Sequence, residues 1–225
     1  MSSDKFVSPE WIGGRFDIGM YPHYIYQKSN IISNNVFDIG AWNGDDAELL
    51  RSWFDVKPEN VFCFEPNTSN FDNLVAGHPN FNNFHLGISN FTEEKTFKCH
   101  KSKTDMSSIK RRLEFPEEDY NNITIKISRM DDFLTEHKID SVDICKIDVE
   151  GETYEVLEGF GDKLSIVKSL QIEAELVNNY ENQKLFDDCK NVLEKRGFTM
   201  MNYFDNSSNA IGHCDSLWIR TDLLL

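Results

Sequence analysis

Four short stretches of the chain hold residues whose types and spacing can do chemistry. The first, FDIGAWNGDD, carries Asp38, Gly40, Asn43 and Gly44 directly after an apolar run. Gly40 can make a tight strand-to-loop turn, Gly44 lets backbone approach a ligand, and free amides at the start of a following helix can receive an anionic group. Asp38 suits orienting the loop or a ligand ammonium, and Asn43 suits bonding to nearby backbone or ligand. Glycines also make ordinary turns, however. The stretch lacks the GxGxxG dinucleotide fingerprint and the GK[ST] ending of a phosphate-binding loop.

The second stretch, FCFEP, ends an apolar run on Glu65, about twenty residues beyond the glycines. A carboxylate so placed can accept hydrogen bonds from both hydroxyls of a ribose; the plainer role is a surface acid at a strand end. In the third, KIDVEGE, Asp148 and Glu150 alternate around Val149, and Gly151 allows a bend that brings both toward one cleft. Such acids are rarely buried without partners, so salt bridging to Lys146 or helix capping competes with a ligand-facing role. A carboxylate there can orient an acceptor hydroxyl and assist its deprotonation. In the fourth, QIEAE, Glu173 and Glu175 share a strand face. With Asp148 or Glu150 they can form an acidic acceptor site or hold a divalent metal, or serve ordinary polar packing. His213 and Asp215 in GHCDS offer a base with its orienting partner, or a structural pair. Ser89 and Asn90 follow the third expected strand, where they can contact adenine or cap a turn.

These stretches need a scaffold that brings strand ends together, and the punctuation of the chain supplies one. VFDIG, NVFCFEP, FNNFHLGIS, VDICKI and SLQIEAEL read as strands. DAELLRSWF, NTSNFDNLVAG, DDFLTEHKI, ETYEVLEGF and NQKLFDDCKNVLEKRGF read as helices between them. Leu49, Trp53 and Leu50 supply the apolar face of the first, and Leu185, Cys189 and Val192 that of the last, joined by Phe186 and Leu193 at its flank. This alternation predicts a mostly parallel α/β sheet covered on both faces. FTMMNYF and SLWIRTDLLL supply two final strands at an antiparallel edge. TFKCH and ITIKIS also read as short strands. Between them, KSKTDMSSIKRRLEFPEEDY is a polar excursion, either an acceptor-side insertion or a solvated loop.

The whole chain narrows the classes further. Its 225 residues suit one core, with an irregular extension over residues 1–35 and the main domain over residues 36–225. The 38 acidic residues against 23 basic ones give a formal charge of -15, which opposes a nucleic-acid backbone as partner. Five scattered cysteines without CxxC spacing argue against a disulfide framework or a thiolate zinc cage. With no signal-peptide pattern and no bilayer-length apolar run, a soluble cytoplasmic protein is expected. Nothing in the sequence sets an oligomeric state.

Taken together, FDIGAWNG, FCFEP, LGISN, ISRMDDFL, KIDVEGETYEVLEGF and QIEAE, running from Val36 to Ile219, resemble the FkbM-like family of S-adenosylmethionine-dependent methyltransferases. KIDVEGETYEVLEGF is the most specific of them; Trp42 and the two aspartates after Gly44 are local departures. The resemblance implies a class I methyltransferase fold, a Rossmann-like three-layer sandwich around a seven-stranded mixed sheet with an antiparallel terminal hairpin. It implies S-adenosylmethionine as cofactor, with Asp38, Gly40, Asn43 and Gly44 near its methionine end, Glu65 near ribose, and Asp148 with Glu150 at the transfer cleft. Met106, Ser107 and Ser108 match family-type cleft residues. The implied activity is O-methylation of a small molecule, with the hydroxyl of a sugar, nucleotide sugar or glycan favoured over a lipid headgroup or another metabolite. Lys110, Arg111 and Arg112 then attract a phosphorylated acceptor or form a solvated charge run. A noncatalytic nucleotide- or glycan-binding module is the alternative of a different class.

Overall fold

A computed structural model describes residues 21–205 and 212–225. Its centre is a seven-stranded sheet in the order β3-β2-β1-β7-β8-β10-β9. The strands are β1 (Val36–Ile39), β2 (Val61–Phe64), β3 (Asn82–Phe84), β7 (Val142–Ile147), β8 (Val167–Glu175), β9 (Phe198–Asp205) and β10 (His213–Arg220). The first five of these are mutually parallel. β10 runs antiparallel between β8 and β9, forming the expected terminal hairpin. The sandwich is therefore the α/β, Rossmann-like architecture that the alternating pattern predicts.

Both faces of β1 and β7 are buried, which explains why these strands read as nearly continuous apolar runs. One face joins Phe37, Ile39, Cys145 and Ile147 to Trp218 and α5 (Thr153–Gly159). The other joins Val36 and Ile144 to Leu50 and Phe54 of α2 (Asp45–Phe54). The register lines up polar side chains across this second face: Asp38 opposes Lys146, Lys146 opposes Gln171, Asp215 opposes Glu173, and His213 opposes Glu175. The carboxyl ends of β1, β7 and β8 and the amino end of the antiparallel β10 thus assemble the polar residues that sequence spacing alone left apart.

The structure corrects several local expectations. The described part of the 1–35 segment contains α1 (Tyr21–Lys28), whose Tyr21 and Ile25 are buried. Residues 1–20, including Gly13, Gly14 and Gly19, lie outside the described residues. FNNFHLGIS is two strands: β3 ends at Phe84, and β4 (Gly87–Ser89) leaves for a second sheet. There it pairs with β6 (Tyr120–Arg129), which pairs in turn with β5 (Glu93–His100). The apolar run hides this break because both pieces are covered. The final strand begins earlier, at His213, and ends at Arg220; Thr221–Leu223 turn as a short 3-10 helix. The buried stripe of α2 is Ala47, Leu50 and Phe54, with Leu49 and Trp53 only partly covered. In α6 (Phe186–Lys195) it is Phe186, Cys189 and Leu193, with Leu185 capping the helix. The other helices are α3 (Thr68–Gly77) and α4 (Met130–Glu136). No helix of the described residues is long and apolar enough to cross a membrane.

Helix α1 is tied to the sheet by more than apolar packing. The Tyr21 hydroxyl donates to Ser169 Oγ at 3.0 Å, and Ser169 Oγ donates to the Asp143 carbonyl at 2.6 Å. Burial of the Tyr21 ring pushes its hydroxyl far above the ordinary phenol range, keeping it a donor. Tyr21→Phe should therefore lower unfolding stability by about 1 kcal/mol, measured as a shift of the urea midpoint at unchanged slope. An unchanged midpoint would make α1 an appendage.

Candidate active site

The carboxyl ends of β1, β2 and β7 converge because their backbones bond to one another past the last ladder pairs. The amides of Gly40 and Ala41 both donate to the Phe64 carbonyl at 3.0 Å, and the Asp148 amide donates to the Ile39 carbonyl at 2.9 Å. Gly40 has φ 85, and a Cβ built there would lie 1.8 Å from the Asp148 carbonyl oxygen. No side chain fits that gap, so glycine is required both by conformation and by space. Beside this junction lies a cleft lined by Gly40, Trp42, Glu65, Asn70, Asp148 and Glu150 among others.

Glu65 sits on the cleft wall, only 5% exposed. Its two oxygens accept the Trp42 amide at 3.0 Å and the Asn67 amide at 2.7 Å. Burial pushes its carboxyl up to about 7, while these amides and the Asn70 side chain pull it back down. Trp42, the departure in the glycine loop, takes a left-handed φ of 47 and remains 44% exposed at the cleft. Its amide is what Glu65 holds, so the two signals in the sequence are one structural unit.

Asp148 and Glu150 both line the cleft, but their surroundings differ. Lys146, almost fully buried, places Nζ 2.9 Å from Asp148, 3.2 Å from Asp46 and 3.9 Å from the buried Asp38. Burial alone would discharge this lysine, but the three carboxylates hold it ionised far above its usual range. Salt bridging to Lys146 and a place in the cleft are therefore compatible for Asp148. Glu150 has φ 49 and accepts the Tyr180 hydroxyl, with the Arg112 guanidinium 3.9 Å away. Withdrawal from water and the nearby Asp148 charge push its carboxyl up to about 8, against the opposing pull of Tyr180 and Arg112.

The remaining candidates occupy distinct places. Asn43 bonds within its own loop, its Nδ2 donating to Asp45 and its Oδ1 accepting the Asp45 amide. Gly44 caps α2 at φ 87 with His78 and Leu74 packed against it. Ser89 is fully buried and donates to Glu152 at 2.9 Å. Met106 closes a short 3-10 turn. Ser107 lines the cleft, and its hydroxyl accepts the His100 amide. Ser108 donates to the Glu150 carbonyl at 2.6 Å. His213 lies 3.7 Å from Glu173. It is three strands from β1, about 14 Å at ordinary strand spacing. Asp215 joins this pair: one ligand atom each from Glu173, His213 and Asp215 lies within 4.8 Å of the others, as holds also for Asp148, Glu150 and Glu173. This spacing would admit a shared cation, but carboxylates gather at such distances without one, and the grouping alone assigns no ion. Glu175 is buried, with its carboxyl pushed up to about 7 chiefly by burial.

The basic run is paired within the chain. Lys110 pairs with Glu152 and Glu155, Arg111 with Glu181, and the buried Arg112 with Glu114 and Glu150. Arg112 and most of Lys110 are withdrawn from water, Arg111 stays partly exposed, and acids meet the charge of all three. Tyr180 and Asn70 escape sequence reasoning: one stands in an aperiodic loop after β8, the other on a helix whose pattern gives no hint that it faces Glu65.

An α/β sandwich with a ligand cleft at converging parallel strand ends defines a Rossmann-like, nucleotide-binding class of enzyme domain. Within that class the methyltransferase FkbM domain model matches residues 38–200. The chain thus belongs to the FkbM family of S-adenosylmethionine-dependent methyltransferases. No curated protein sequence matches it. It is similar in fold to a methyltransferase FkbM from Methylobacillus flagellatus KT, at 17% identity and TM-score 0.55, covering 97% of this chain and 56% of that one. It thus spans little more than half the length of that relative. A magnesium protoporphyrin IX methyltransferase from Synechocystis PCC 6803, solved with S-adenosylmethionine bound, aligns at 13% identity and TM-score 0.46, over 85% of this chain and 72% of that one.

The crowded junction gives a direct test. Gly40→Ala should cost about 3 kcal/mol or more, from left-handed strain plus overpacking, and should abolish donor binding. Chemical denaturation and calorimetry check both; a stable, binding-competent variant would refute the junction as drawn.

Proposed function

We propose that this domain transfers the methyl group of S-adenosylmethionine to a hydroxyl oxygen of a small molecule, with an uncharged sugar or glycan hydroxyl as the favoured acceptor. The observation that carries this reading is that Glu65, Gly40, Asp148 and Glu150 line one cleft. The residues fit the cofactor: Glu65 is a buried acid at a strand end, Gly40 brings the ends of β1 and β7 together at the cleft, and Phe64, Leu86 and Ile88 add apolar wall. When bound, S-adenosylmethionine supplies an activated methyl group on a good leaving group.

The chain's own residues then divide the work. Glu65 accepts the ribose hydroxyls, and the loop from Gly40 to Gly44 receives the methionine end. Asp148, ion-paired with Lys146 at 2.9 Å, stands on the wall beside the positively charged donor. Glu150, with its carboxyl raised toward neutrality, accepts the acceptor hydroxyl's proton as the oxygen attacks. The internal pairing of Lys110, Arg111 and Arg112 favours an acceptor without phosphate, whether sugar, glycan or another hydroxylated metabolite.

Glu65→Ala should weaken donor binding by about ten- to a hundredfold, read by calorimetry, because hydrogen bonds to a charged group are lost. Undiminished affinity in the folded variant would remove the ribose assignment. Glu150→Gln should lower kcat by about 10²–10⁴ with donor affinity kept. In the unaltered protein, kcat/KM should climb as pH rises through about 8, since only the deprotonated Glu150 can act as base, and this limb should vanish in the variant. Mass spectrometry of hydroxylated acceptors incubated with isotopically labelled donor identifies the methylated atom. A domain that binds donor yet forms no S-adenosylhomocysteine with any acceptor would instead be a binding module.

A further inference from the structure

Glu150 stands in a left-handed conformation that costs a non-glycine residue about 1 kcal/mol or more. Such a conformation persists only when its surroundings hold it. Three alternate residues of the polar excursion do so from one side. Ser108 Oγ donates to the Glu150 carbonyl at 2.6 Å, Lys110 Nζ donates to the Gly151 carbonyl at 2.9 Å, and Arg112 approaches the Glu150 carboxylate at 3.9 Å. Their i, i+2, i+4 spacing is that of one face of an extended segment. Tyr180 completes the enclosure: its hydroxyl donates to Glu150, and its ring occupies the space a Cβ on Gly151 would need, 2.6 Å away.

The two segments that supply these groups are bound to each other. The Leu113 amide donates to the Asn179 carbonyl at 2.8 Å, and the Glu181 amide donates to the Arg111 carbonyl at 3.0 Å, making an antiparallel bridge between Arg112 and Tyr180. Arg112 Nη1 also reaches the Tyr180 hydroxyl at 3.4 Å. A solvated loop would show none of this.

We propose that residues 108–112 and Tyr180 form a positioning brace that sets the Glu150 carboxylate toward the acceptor, with Tyr180 as the positioning residue that acts on its proton affinity. The proposal rests on Glu150 being the acceptor-side base. Tyr180 keeps its proton, because burial and the neighbouring Glu150 charge push its hydroxyl far above the usual phenol range. It is therefore a hydrogen-bond donor that stabilises the ionised carboxylate. The other groups facing Glu150 are Asp148 from the end of β7, Glu173 and Glu175 from β8, and Arg112 from the excursion. The carboxylates oppose its ionisation and Arg112 favours it.

The test is Tyr180→Phe, which keeps the ring against Gly151 and removes only the hydroxyl. The Glu150 carboxyl, followed by carbon-detected NMR in the acceptor-free protein, should titrate about one pH unit higher, leaving about a tenth as much base below that range. kcat at neutral pH should fall about tenfold, donor affinity should stay within about twofold, and raising the pH should restore turnover. Ser108→Ala provides a second variant: it loosens the Glu150 carbonyl, and should lower kcat with donor affinity kept. An unmoved Glu150 titration together with unchanged kcat in Tyr180→Phe would overturn the brace. A moved titration in a protein whose unaltered form makes no S-adenosylhomocysteine would uphold the contact and overturn the methyl-transfer reading instead.

Discussion

The contact on which the cleft depends is backbone against backbone: Gly40 at the end of β1 lies so close to the Asp148 carbonyl that a Cβ would sit 1.8 Å from it. The Asp148 amide bonds to Ile39, and the Gly40 amide bonds to Phe64, so three parallel strands are joined where their ladders end. Parallel strands diverge past such a point, and the chain must leave each of them by a turn. Here the turns carry Trp42, Glu65 and Glu150 outward around a common space. A side chain at residue 40 would force β1 and β7 apart and would separate Glu65 from Asp148 and Glu150.

This junction also explains the use of charge. Lys146 lies beneath the cleft with Asp38, Asp46 and Asp148 around it, linking β1, α2 and β7 through one ammonium group. Breaking a buried pair leaves an uncompensated charge, typically about 3–5 kcal/mol, so the arrangement resists change at any single member. Its consequence for chemistry is a division between two nearby acids. Asp148 is tied to a lysine, whereas Glu150 faces a hydroxyl, a more distant guanidinium and several other acids. Environments that separate two carboxylates in proton affinity commonly mark different roles for them.

Much of the scaffold was legible because parallel strands buried on both faces leave long apolar runs, as VFDIG and VDICKI do, and because glycines mark their ends. Gly40, Glu65, Asp148 and Glu150 could be picked out since each follows such a run, and the structure brings all four to one cleft. Elements were lost where local pattern and tertiary pairing disagree. FNNFHLGIS has one apolar rhythm but serves two sheets, and no property of Leu86 or Gly87 announces the change of partner. Helix faces were misread by one position because Leu49 and Trp53 are apolar without being the buried stripe. The basic run could not be interpreted at all, since its partners Glu150, Glu152, Glu155 and Glu181 lie about 40 to 70 residues away in sequence.

The distribution of protons in the acidic cluster follows from the same geometry. Asp148, Glu150, Glu173, Glu175 and Asp215 crowd the ends of β7, β8 and β10, and five full negative charges at such spacing would repel strongly in a space of low dielectric constant. The structure meets this in two ways. Lys146 and Arg112 place positive charge beside Asp148 and Glu150, and burial with the surrounding acids pushes Glu173 well above the ordinary carboxylate range, toward its protonated form. A protonated carboxyl can donate a hydrogen bond as well as accept one. This acidic cluster is therefore less anionic at neutral pH than its composition implies, and it presents hydrogen-bond donors as well as acceptors.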